Sequence, residues 1–113
     1  MNPRDNETVP LVPSGYVHQT RITEGVEKAS SALATDVVRI RYELGENWTG
    51  EDAVFFRVLL RNTASQRPKL REVARRVSAT VLREVRPQEL GLQAYFSFRS
   101  EAEQDVLKEE AWA

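Results

Sequence analysis

One histidine, no cysteine and two pairs of adjacent acidic residues make up a thin catalytic inventory. His18 is the single histidine, and it sits at the end of a proline-containing stretch. A general base must be held within hydrogen-bond reach of the proton it takes, which an unanchored arm does not provide. No G-x-S-x-G motif occurs, so no serine, histidine and aspartate set can assemble around an elbow. Glu51-Asp52 and Glu109-Glu110 are adjacent pairs. Neighbouring side chains point to opposite faces of a strand and diverge by about 100° on a helix, so such pairs chelate poorly. Gly45 and Gly50 bracket four residues as a phosphate loop does, but Glu51-Asp52 follow where that loop needs lysine and a hydroxyl. The expectation is a protein that is not an enzyme and has no catalytic residues, cofactor or metal.

The remaining chemistry is that of contact surfaces. The basic residues number 16, of which 13 are arginine, against 17 acidic ones, so the net charge is −1 and the whole chain is no polycation. An arginine-biased composition accounts for that excess as well as guanidinium chemistry does. Between Lys69 and Arg86 there are six basic residues and two acidic ones, Glu72 and Glu84, a local net of +4. Helical spacing sets these charges opposite an apolar stripe, as on any solvated helix face. A second surface follows from strict alternation in three strands. It carries Arg39, Arg41 and Glu43, then Phe55, Arg57, Leu59 and Arg61, then Gln93, Tyr95, Ser97 and Arg99. Aromatic, aliphatic and arginine side chains together on one face describe the core of a protein interface. The same mixture suits single-stranded RNA, whose bases stack on rings while guanidiniums meet phosphates. The candidate interaction surface is therefore Arg39, Arg41, Phe55, Arg57, Leu59, Tyr95 and Arg99. Exposed apolar groups there call for cover from a second subunit, from the N-terminal arm or from the acidic C-terminus. That last segment carries Glu101, Glu103, Asp105, Glu109 and Glu110 against Lys108 alone.

The elements that would position these residues are legible in the pattern. Residues 1–18, with Pro3, Pro10 and Pro13, read as a flexible arm, dispensable for folding, and 19–113 as a single domain. Ile22, Val26, Ala29 and Leu33 recur at helical spacing over 20–35, with Thr23 as its cap. Val38, Ile40, Tyr42 and Leu44 alternate with polar residues in a first strand over 37–44. Turn residues 45–50 precede a second strand over 53–62, with Val54, Phe56, Val58 and Leu60 inward, which makes a hairpin. Pro68 opens the longest helix, whose stripe is Leu70, Val73, Ala74, Val77, Val81 and Val85, and Pro87 ends it. A third strand over 92–99 sets Leu92, Ala94, Phe96 and Phe98 inward. Ser100 and Glu103 have the spacing of a capping box for a terminal helix that frays before Ala113.

The order is α-β-β-α-β-α, an α+β fold of two layers, with a three-stranded sheet and helices on one face. The returning strand is expected beside the hairpin's first strand, parallel to the second. Over residues 20–99 this order, with helical pieces on both sides of Pro87, resembles the type II KH arrangement of small ribosome-associated factors. The resemblance implies RNA binding through a G-x-x-G loop, and no such loop lies between the helices here.

Without cysteine, and with no apolar leader in the first residues, a reducing, cytoplasmic setting is expected. Asn47-Trp48-Thr49 matches the glycosylation triplet, which has no use in that compartment. The functional expectation is a non-catalytic protein-interaction module or small subunit, a homodimer through the sheet's outer face. RNA binding through the same face is the alternative, and no membrane contact is expected.

Overall fold

The computed structural model describes residues 18–113, so the arm expected at 1–18 lies, His18 apart, outside the described residues. Helix α1 (Gln19–Ala32) leads into strand β1 (Val37–Glu46), which pairs antiparallel with β2 (Asp52–Leu60). Helix α2 (Leu70–Val85) and a 3-10 turn (Pro87–Leu90) connect β2 to β3 (Gln93–Ser100), which pairs parallel with β2. Helix α3 (Glu101–Leu107) and a last 3-10 turn (Glu110–Trp112) complete the chain. The expected α+β order α-β-β-α-β-α is the order of the structure.

The place of β3 differs from expectation. The sheet runs β1-β2-β3, so the returning strand lies beside the second strand and not beside the first. The reason lies in the helical layer, where α1 packs on β1 and on α2. With α1 over β1, α2 takes the neighbouring position and delivers the chain to the open edge of β2. The direction of β3, parallel to β2, is as expected.

Inward side chains from the three strands meet in rows: Ile40–Val58–Phe98, Tyr42–Phe56–Phe96 and Leu44–Val54–Ala94. Phe56 is 1% exposed and stacks on Phe96, ring centroids 5.0 Å apart. The helices close this layer with Ile22, Val26 and Ala29 from α1 and Val73, Val77, Val81 and Val85 from α2, all buried. Two helices over three strands leave Ala94, Phe96 and Phe98 on β3 only half-buried.

Several local expectations shift by a few residues, each for a physical cause. A bulge between Val37 and Arg39 turns Val37 into the core and leaves Val38 half-buried, so Val38 is not the inward residue. Helix α1 begins ahead of Thr23, whose hydroxyl instead meets the Tyr42 hydroxyl at 2.8 Å and ties the helix to β1. Pro68 stands in the turn before α2, and Leu70, on its first residue, is exposed and lines a surface pocket with Phe98 and Ser65. Arg86 caps α2 in the left-handed conformation (φ 52°) and Pro87 forbids continuation.

Gly25 marks the closest approach of the two long helices. A Cβ there would lie 2.8 Å from the Glu84 carbonyl oxygen and 2.8 Å from Val85 Cγ2. The helix-weakening glycine is therefore what lets α1 and α2 pack. Further towards the start of α2, buried Asp36 pairs with Arg76 and joins the α1–β1 connection to that helix.

Candidate interaction surface

The outward positions also meet in rows, because register sets residues of one parity side by side. Arg39, Leu59 and Arg99 form one row, Arg41, Arg57 and Ser97 the next, and Glu43, Phe55 and Tyr95 the third. The seven candidate residues are thus brought onto one face, and the rows divide it into two ends of different character.

The Arg39–Leu59–Arg99 end is covered. The expected fraying of the C-terminus does not occur: after α3, Lys108 turns left-handed (φ 53°) and the last 3-10 turn lies against β2. Leu59 is 3% exposed and Trp112 8%. Arg99 lies 4.4 Å from the centroid of the Trp112 ring, 2.6 Å from the Glu109 carboxylate and 2.9 Å from the Gln104 amide oxygen. Arg41 donates from Nε to the Ala113 oxygen. The acidic C-terminus, one of the three covers that the sequence allows, lies on this end. Leu59 is accordingly not an accessible apolar group.

Among the described residues the Glu43–Phe55–Tyr95 end is open, with Phe55 and Tyr95 half-buried, and it extends into the β1–β2 turn. Phe55 stacks on Tyr95 at 5.4 Å with 20° between ring planes, and Trp48 leans against Tyr95 at 5.5 Å. Trp48 is 82% exposed, which makes it the largest exposed aromatic among the described residues. The turn that carries it is fastened by one side chain. Asn47 Oδ1 accepts from the Thr49 and Glu51 backbone N–H groups (3.0 and 2.9 Å) and from the Thr49 hydroxyl (2.9 Å). Asn47 Nδ2 donates to the Glu51 carboxylate at 3.1 Å and to the Tyr95 hydroxyl at 3.0 Å. This is an Asx turn, closed by the Thr49 N–H, extended by four further bonds. Gly50, at φ 83°, supplies the left-handed residue the turn needs. Hydrogen bonds from Asn47 and then Thr49 hold the Glu51 carboxyl below its ordinary pKa, against a smaller opposing desolvation.

Charge on the face is largely matched within the molecule. Arg57 pairs with Glu43 across the hairpin at 2.8 Å, while Arg99 and Arg41 engage the C-terminal segment. Arg39 is exposed, and no ion pair reaches it among the described residues. The basic side of α2 is similarly divided. Arg76, Arg83 and Arg86 pair with Asp36, Glu84 and Glu89, and Lys69, Arg71 and Arg75 project from the remainder.

His18 is exposed and precedes α1, where its carbonyl accepts the Ile22 N–H at 3.1 Å. Among the described residues, no three His, Asp or Glu side chains gather as metal ligands, and no helix is long and apolar enough to cross a membrane. Sequence reasoning missed Trp48, taken only as turn residue, and Trp112, taken as part of a fraying end. The available signal was an aromatic beside asparagine in a turn. What it lacked was the cross-sheet neighbour, Tyr95, that joins the turn to the face. Comparison of the chain with protein-family models, curated proteins and solved structures gives no match.

Proposed function

We propose that the chain is a non-catalytic interaction module that self-associates through the open end of its sheet, around Trp48, Tyr95 and Phe55. The observation that carries this reading is the 82% exposure of Trp48 on a turn that Asn47 fastens with five hydrogen bonds. A rigid turn presents the indole without the ordering cost that a mobile loop would incur on binding. Tryptophan, tyrosine and arginine dominate the energetics of interfaces, and Arg57 stands in the adjacent row. A two-fold contact uses each patch twice, so both indoles would be covered at once.

RNA binding is the weaker reading of the same face. Stacking bases would suit Tyr95 and Phe55, but Arg57, Arg41 and Arg99 already have partners within the molecule. Few cations remain to release counterions from a phosphate backbone. The lack of cysteine fits a reducing, cytoplasmic setting for such a module.

Sedimentation over a micromolar concentration range, with Trp48→Ala as the variant, tests the reading. Truncating a hot-spot tryptophan costs about 2 kcal/mol or more, so its loss from both halves of a dimer costs about 4 kcal/mol, roughly a thousandfold in Kd. RNA retention that falls steeply with salt, with a monomeric chain, would move the assignment to nucleic acid.

A further inference from the structure

The covered end of the face has a chemistry of its own, separate from the Trp48 patch. We propose that Arg99, Arg41, Arg39 and Leu59 form a docking site for an acidic segment of a partner protein that carries tryptophan three residues after glutamate. The chain's own residues 109–113 occupy that site in its absence.

The occupant defines the chemistry. Glu109 neutralises Arg99 at 2.6 Å, and Trp112 covers the guanidinium at 4.4 Å. One 3-10 turn, closed by the Trp112 N–H on the Glu109 carbonyl at 3.1 Å, spaces these two groups. The backbone oxygen of Ala113 accepts from Arg41. A segment with the same spacing makes the same three contacts, two to Arg99 and one to Arg41. Arg39, in register with Leu59 and without an ion pair among the described residues, is left for a further carboxylate. An arginine stacked on an indole and bonded to a carboxylate is a common anchor, since the planar guanidinium does both at once.

The internal occupant buries little side-chain surface. Between Glu101 and Ala113, Trp112 is the only buried side chain, and α3 contributes none. Residues 109–113 are held by the Arg99, Arg41 and Trp112 contacts and by the Gln104 amide, which donates to the Glu109 carbonyl oxygen at 2.8 Å, while the capping box and the Ala102 N–H on Asn62 Oδ1 hold α3 itself. A competing segment exchanges one such set for another and needs no unfolding of the sheet. While the tail is bound, only the fraction of molecules with the tail released is competent, and the apparent affinity falls by that fraction.

The test is fluorine NMR on the wild-type chain labelled with 5-fluorotryptophan, whose two tryptophans give two resonances. The added probe is an unlabelled synthetic peptide copying residues 105–113. The proposal expects the Trp112 resonance to move towards its solvent-exposed position as peptide is added, while Trp48 stays in place. The same peptide with alanine for tryptophan should leave both unmoved. A second arm uses fluorescence anisotropy of labelled peptide on the Glu109→Ala/Trp112→Ala chain, which should bind at least about tenfold tighter than wild type. A Trp112 resonance unmoved at saturating peptide overturns the proposal, as does equal displacement by the alanine peptide. If Trp112 shifts with protein concentration alone, the occupant is a second copy and the assignment to a partner protein fails.

Discussion

Gly25→Ala is the substitution whose sign depends most directly on the packing of the two long helices. Alanine in place of glycine within a helix adds about 1 kcal/mol of intrinsic propensity, so an open site would be stabilised. Here the added methyl would meet the Glu84 carbonyl oxygen and Val85 Cγ2 at 2.8 Å and the Val85 Cα at 3.0 Å. Two of these three atoms are backbone, so relief requires α1 and α2 to move apart rather than a rotamer to change. Overpacking of a tight core costs about 1–3 kcal/mol, and a backbone contact belongs in the upper half of that range. The net expectation is a loss of about 1–2 kcal/mol. For a domain of this size that lowers the thermal midpoint by roughly 4–16 °C. Urea melts followed by circular dichroism give the free energy, and the denaturant slope should stay unchanged. An alanine variant as stable as wild type, or more stable, would refute the close contact between the helices.

Two further outcomes follow from the core and the turn. Phe56→Ala, at 1% exposure against Phe96, should cost about 3–5 kcal/mol in the same melts, and a loss below about 1 kcal/mol would remove Phe56 from the core. The lowered pKa of Glu51 means that its bonds stabilise the turn above the ordinary carboxylate range and are lost as pH falls through its folded value. An NMR titration should place Glu51 below an ordinary glutamate and move the Trp48 ring signals in step, and a midpoint at or above the ordinary value contradicts the bonding.

The element order and most of the core could be read from periodicity, because Ile22, Val26, Phe56, Val58, Val77 and Val81 obey spacings that only burial enforces. The neighbour of β3 could not, since both edges of the hairpin satisfy the local pattern and the choice depends on where α1 packs. The bulge that turns Val37 inward leaves no sequence mark between two valines. On the candidate face, alternation is enough to set all seven residues on one side of the sheet. Cover is a different matter. Leu59 and Phe55 look alike in the pattern, yet Leu59 lies at the end that the C-terminal turn covers while Phe55 stacks on Tyr95 at the open end. Nor does a glycine that weakens a helix declare whether it is a defect or a contact, as Gly25 illustrates.

The central claim is that the Trp48 end of the sheet holds two copies together. Sedimentation velocity of wild type, Trp48→Ala and Arg75→Glu over a micromolar concentration series tests it most directly. Arg75 is the appropriate control because it is exposed on α2, whereas Arg76 pairs with the buried Asp36 and its loss would disturb the fold. The account predicts twice the chain mass for wild type and for Arg75→Glu, and a single chain mass for Trp48→Ala. A monomeric wild type, or a Trp48→Ala chain that associates as wild type does, would contradict it.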